Sequence, residues 1–125
     1  MALTYQLREG ILHFFTAAEV EFQEGTNTLE AGLQAAAAAE PDTKWQLLFD
    51  IRESSENRSG PELHFIAMVI GEHRAILSGN CALVVAQPLH YGLGRMFGEY
   101  LKYYSMDTAV FHEIEAAERW LKERT

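Results

Sequence analysis

The chain has 125 residues, of which 48% are hydrophobic and 22% charged, with a formal net charge of −8. That length and composition exclude a disordered chain and fit one globular domain over residues 1–125, large enough to bury about two-thirds of its unfolded surface without a disulfide or a metal. Eighteen acidic side chains against ten basic ones exclude nucleic acid as a partner, because affinity for a phosphate backbone comes from clustered cations.

The opening Met-Ala-Leu-Thr-Tyr-Gln lacks the charged and apolar regions of a secretory signal. No apolar run approaches the roughly 20 residues that cross a bilayer. A cytoplasmic protein with no membrane span is expected. Residues 5–8 alternate, Glu9-Gly10 is a turn signal, and residues 11–15 are β-branched and aromatic, which predicts a hairpin. Residues 18–25 carry no clear pattern. A helix is expected over 26–39, with Asn27 and Glu30 at capping-box spacing and Leu29, Leu33, Ala36 and Ala37 on one face. Glu40-Pro41-Asp42 ends it. Residues 45–51 form a short apolar run that suits a strand covered on both faces, and the polar stretch 52–60 reads as a loop.

A second helix is predicted from Pro61 to about Leu77, with proline in its first turn and Ser78-Gly79-Asn80 as its stop. Residues 82–86 read as another buried strand. Cys81 begins it as a small core residue rather than a reactive thiol, and a lone cysteine excludes an intrachain disulfide. A third helix over 93–105 places Leu93, Met96, Phe97, Tyr100, Leu101 and Tyr104 on one stripe. Residues 108–111 form a last strand, and the helix 113–123 buries Ile114, Ala117, Trp120 and Leu121. The order β-β-α-β-α-β-α-β-α predicts an α/β fold. Its sheet is mixed and mostly parallel, with four to five strands and right-handed crossovers, and it carries four main helices. Segments 45–51 and 81–86 should be adjacent central strands. The natural site is the crevice beyond the strand carboxyl ends, at the loops 52–60 and 87–92 and the turn 112–113.

Three segments resemble a known family. They are the strand end Leu48-Phe49-Asp50-Ile51-Arg52, with a Ser-Gly pair before the next helix; the stretch 86–97, Ala-Gln-Pro-Leu-His-Tyr-Gly-Leu-Gly-Arg-Met-Phe; and the stretch 110–121, Val-Phe-His-Glu-Ile-Glu-Ala-Ala-Glu-Arg-Trp-Leu. Together they resemble the STAS-like domains of small bacterial proteins related in fold to the anti-sigma-factor antagonists. The resemblance spans nearly the whole chain and implies a fold more firmly than a function. In the antagonists proper, a serine in an Asp-Ser-Ser-Gly turn is phosphorylated by a partner kinase and switches partner binding. The resemblance therefore implies Ser59 at that position. The acidic residue of the motif has no counterpart here, and Arg58 stands close to its place. The fold is also similar to that of CRAL-TRIO lipid-transfer domains, which implies an apolar ligand with Phe65, Met68, Tyr100 and Tyr104 as lining.

Several residues read as candidates in their own right. Ser59-Gly60-Pro61-Glu62 has capping-box spacing, and a helix N-terminus also attracts anions, so a cap, an anion site and a phosphorylation site all fit Ser59. Ser54 and Ser55 are alternatives on the same loop. Arg52, Arg58 and Arg95 all fall at strand carboxyl ends, where they form an anion pocket with His90 and Tyr91 if they converge. Gly92, Gly94 and Gly98 have the wrong spacing for a dinucleotide fingerprint and suit close helix-on-sheet packing. The five histidines show no metal-ligand spacing, no nucleophile elbow is present, and no cofactor or enzymatic activity is expected. The second helix carries a surplus apolar set, Phe65, Met68 and Val69, which reads as an interface with a protein partner or a second copy. The expected function is a non-enzymatic binding or regulatory module, acting through protein contacts and a small anionic ligand. The alternative is a carrier of a small apolar or lipid-like molecule.

Overall fold

The hairpin forms as expected: β1 (Leu3–Arg8) and β2 (Ile11–Ala18) pair antiparallel across Glu9 and Gly10. Both turn residues have positive φ, 52° and 81°, the backbone of a tight turn that matches the strand twist. The structure, a computed structural model, describes residues 3–125; residues 1 and 2, the start of the stretch read above for a secretory signal, lie outside the described residues.

The next helix, α1 (Phe22–Ala39), starts four residues earlier than the spacing of Asn27 and Glu30 predicts. Its cap is Glu21, whose carboxylate accepts from the backbone N–H groups of Gln23 and Glu24 at 3.0 Å each. These two bonds hold the Glu21 carboxyl below its usual range. Asn27 instead lies inside the helix and accepts from the Gln23 side chain at 3.0 Å.

Strand β3 (Trp45–Ser54) runs three residues past the expected strand end, because Glu53 and Ser54 pair with Ala17 and Ala18 of β2. Helix α2 (Gly60–Glu72) ends well before Leu77. A short 3₁₀ turn at Arg74–Ile76 leads into β4 (Leu77–Val84), so Ser78, Gly79 and Asn80 belong to a strand rather than to a helix stop. The Arg74 guanidinium fixes that turn by donating to the carbonyls of Leu77, Tyr104 and Ser105. Gly79 has φ 103°, a left-handed conformation that favours glycine. Helix α3 (Pro88–Leu101) absorbs the stretch expected as a loop at 87–92, with Pro88 in its first turn. A 3₁₀ turn at Lys102–Tyr104, strand β5 (Asp107–Phe111) and helix α4 (Ile114–Glu123) complete the chain.

The five strands lie in the order β1-β2-β3-β4-β5, with β1 antiparallel and the rest parallel. The predicted central pair is present: Leu47 faces Cys81 and Leu48 faces Ala82 across β3 and β4. Because successive parallel strands are also neighbours, right-handed crossovers place α1, α2 and α3 on one face of the sheet. Leu12, Phe14, Leu47, Cys81 and Leu83 point into the core beneath them. The other face is left to α4, which buries Leu48, Ala82 and Val84 with Ala117 and Leu121. As the middle helix of three, α2 is flanked on both sides. Val69 is therefore in the core at 7% exposure, while Phe65 and Met68 stay exposed at 41% and 37%. The surplus apolar set is thus reduced to two exposed residues. Among the described residues, no helix is long and apolar enough to cross a membrane.

Candidate functional site

Strands β2, β3 and β4 end side by side, and α1, α2 and α3 start just beyond them. Between the sheet and the N-terminal halves of these helices lies a cavity of about 150 Å³. Its walls include Leu29 of α1, Phe49 and Leu83 of the sheet, Leu63 of α2, and Leu93 and Phe97 of α3. The polar atoms that reach it come chiefly from the segment between β3 and α2, through Ser54, Glu56 and Arg58, and from His90 on α3.

That segment is tied down at each residue. Ser54 is buried; its Oγ accepts from the Glu56 N–H at 3.1 Å and its carbonyl from Gln87 Nε2 at 3.4 Å. Ser55 is exposed, and its N–H donates to the Ala18 carbonyl at 3.0 Å. Arg58 donates to the Val20 carbonyl, lies 3.7 Å from the Glu56 carboxylate, and sits with its guanidinium carbon 5.4 Å from the centre of the Phe22 ring. Ser59 caps α2 in a full capping box: its Oγ accepts from Glu62 N at 3.3 Å, and Glu62 Oε1 accepts from Ser59 N at 2.9 Å. His90 is 2% exposed, and its Nε2 lies 2.9 Å from the Glu56 carbonyl oxygen and 3.0 Å from Asn57 Oδ1. One imidazole thus pins the segment to α3.

The three arginines do not share this place. Strand β3 alternates, so Arg52 turns to the α4 side with Asp50, whose two oxygens it holds at 2.9 and 2.7 Å. Burial works to raise the Asp50 pKa, but the Arg52 hydrogen bonds and charge outweigh it and hold that carboxyl below its usual range. Arg95 is exposed on α3, and Tyr91 stacks on His112 at 5.7 Å between ring centres. Of the expected anion-pocket residues, only Arg58 and His90 line the cavity.

The expected apolar lining is also different. Phe65 packs against Phe22 from outside at 5.7 Å, Tyr100 meets the His64 ring at 5.2 Å, and Phe65, Met68, Tyr100 and Tyr104 all lie outside the cavity wall. Val20 and Phe22, which do line it, come from the stretch that showed no pattern. Their signal was the pairing of two apolar residues around Glu21, a helix start masked by an unusual cap. Gly94 and Gly98 do serve close packing: a Cβ would stand 3.2 Å from Val110 at Gly94 and 3.1 Å from Thr108 at Gly98. Cys81 is fully buried, and burial pushes its thiol pKa up, which leaves it unreactive.

This sheet order, with its helices set three against one, defines a SpoIIAA-like α/β fold of the STAS type. The structure is similar to that of an uncharacterized protein from the DUF3478 family with a SpoIIAA-like fold, from Shewanella loihica PV-4, with a TM-score of 0.65 at 15% sequence identity. The match covers 96% of this chain and 92% of that one, and what it shows is the shared fold. No family model and no curated protein matches the sequence.

Proposed function

We propose that the chain is a non-enzymatic binding module whose ligand, a small and mainly apolar molecule, occupies the cavity at the strand carboxyl ends. The observation that carries this reading is the cavity itself, walled by leucine, isoleucine and phenylalanine side chains from all three crossover helices. Such a site holds a ligand through the area it removes from water, with a few polar groups setting orientation. An anion is less well served, since Arg58 is already engaged by Glu56 and by a backbone carbonyl. The test is an NMR titration with toluene, following the methyl groups of Leu63, Ile66 and Leu93. These signals should shift and saturate in the natural chain, and Leu93→Trp, which fills the space, should abolish the effect. Unmoved methyl signals up to the solubility of toluene would overturn the reading.

Protein contact is the second reading, favoured by the exposure of Phe65 and Met68 side by side on α2. Burying them against a second copy contributes about 1.5–3 kcal/mol each, against several kcal/mol of association entropy. Sedimentation at roughly tens of micromolar should then show a dimer, in the range such energies allow. The double change Phe65→Glu with Met68→Glu should give a folded monomer. A natural chain that sediments as a monomer removes this reading.

A further inference from the structure

We infer that a second copy of the chain pairs with the free edge of β1, antiparallel and centred on Tyr5, so that two five-stranded sheets join into one. The inference stands apart from the cavity reading and uses a different surface from Phe65 and Met68. β1 is the outermost strand, and among the described residues nothing pairs with it beyond β2. The hairpin fixes which of its groups are free. Arg8 and Ile11 close a two-residue turn with positive φ at both positions, so this pair exchanges both backbone bonds. Bonded pairs alternate along an antiparallel ladder. The N–H and C=O groups of Thr4, Gln6 and Arg8 therefore turn toward β2, and those of Leu3, Tyr5 and Leu7 turn outward. Proteins commonly protect such an edge with a charge, a proline or a bulge. Residues 3–7 contain no charge and no proline, and their register with β2 is unbroken.

The edge is complementary to itself. Two copies related by a two-fold axis through Tyr5 put Tyr5 opposite Tyr5, Leu3 opposite Leu7 and Thr4 opposite Gln6. The outward backbone groups then meet one another, apolar side chains face apolar ones, and polar ones face polar ones. Leu3 and Leu7 pack on the three-helix core, and Tyr5, 38% exposed, tilts against Phe14. The helix above leaves room. A Cβ on Gly32 would stand 2.7 Å from the Phe14 ring and 3.2 Å from that of Tyr5, so α1 runs between β2 and β1. In the joined sheet the two α1 axes lie two strand spacings apart, about 10 Å, which is the separation of packed helices. On one flank of α1, Glu30 bonds His73 of α2. At about 3.6 residues per turn, the flank toward the edge carries Thr28, Gly32, Ala35 and Ala39. None is charged or larger than threonine, in a chain whose net charge is −8. This uncharged patch is where two acidic copies meet without repulsion.

Sedimentation of the natural chain at roughly tens of micromolar should show a dimer. Tyr5→Pro should abolish it. The N–H that proline removes points outward, so the fold loses no bond while the edge loses its central pair. Ala35→Glu keeps a good helix former and sets two carboxylates against each other across the seam, which should give a folded monomer. Phe65→Glu with Met68→Glu should leave the dimer intact. In the natural chain, the amide protons of Tyr5 and Leu7 should exchange at least about tenfold more slowly in concentrated than in dilute solution. Those of Thr4 and Gln6, already bonded to β2, should change less. Should Tyr5→Pro fail to fold, Ala35→Glu and the amide exchange still decide. The inference is overturned if the natural chain is monomeric, or if the Tyr5 and Leu7 amides exchange as fast in the dimer as in the dilute chain. A dimer lost only in the Phe65 and Met68 variant overturns it too, and leaves the α2 contact standing.

Discussion

The two faces of the sheet differ in how much cover they receive. On one, three helices lie over the strands, and the inward positions are mostly apolar, among them Leu12, Phe14, Leu47, Cys81 and Leu83. On the other, a single ten-residue helix packs chiefly against β3, β4 and β5. The best-buried apolar residues there lie in the strip beneath it, and the neighbouring positions carry His13, Gln46, Asp50 and Asn80. Three of the four are matched within the chain: Gln46 donates to the Leu121 carbonyl at 2.8 Å, Asn80 accepts from Arg124 at 2.9 Å, and Asp50 accepts from Arg52 at 2.9 and 2.7 Å. The strand sequence is therefore sorted by the cover that topology provides. Where cover is thick, interior positions are mostly apolar, and the cavity lies between the helices and the strand ends. Where cover is thin, polar groups are tolerated because partners and water are near.

Adjacent residues on β2 give the sharpest test. Phe14 is fully buried on the three-helix face, and Phe15 is half-buried on the other. Phe14→Ala should cost about 3–5 kcal/mol in urea denaturation, and Phe15→Ala less than half of that. Equal losses would break the comparison. Asp50→Ala probes the thin face, with an expected loss of about 1–2 kcal/mol at neutral pH for the hydrogen bonds to Arg52. Since the folded-state pKa of Asp50 is lowered, this contribution is present above its ordinary value of 3.8 and disappears as pH falls through the lowered one. The gap between natural and variant chains should close on acidification; a gap that persists when Asp50 is protonated contradicts the assignment.

Ser59→Ala, at the start of α2, should cost about 1 kcal/mol, while Ser59→Asp keeps a cap and suits the helix dipole. If the aspartate variant is as stable as the natural chain but alone loses a protein partner, Ser59 does more than cap α2. The smallest effect belongs to His13. Burial, opposed by Asp50, lowers its pKa from 6.5, with Arg8, Glu118 and Arg52 as the other charges that act on it. The folded state then binds fewer protons than the unfolded one, so stability should fall as pH drops below 6.5. His13→Gln should flatten that part of the melting-temperature profile, and a profile unchanged by the substitution removes His13 as its source.

Strand β3 through Ile51 and the second half of β4 were legible because each is an apolar run, the pattern of a strand covered on both sides, whereas Ser78-Gly79-Asn80 hid the first half of β4, which ends at Val84 rather than at 86. The Ser59 cap was legible because its geometry spans only three residues. The start of α1 was not, since Glu21 is an uncommon cap and Asn27 offered a more ordinary one. Pro88 hid the start of α3 for a similar reason, because Pro, His and Gly together read as a loop. The arginines required knowing where β3 ends: with six strand residues assumed past Trp45, Arg52 fell in the same loop as Arg58, whereas pairing with β2 keeps it in the strand and turns it to the opposite face. The cavity lay beyond sequence patterns altogether. Its walls come from three separate crossovers, and the bond from His90 to Glu56 spans 34 residues.

The lone cover on the second face also matters for the order of synthesis. A chain made from the amino end completes α1, α2 and α3 over their face before any of α4 exists. Until α4 emerges, Leu48, Ala82 and Val84 form an apolar strip open to water and to other nascent chains. Stalled or clipped products that lack α4 would expose that strip permanently, which makes them targets for chaperones and proteases rather than smaller working copies.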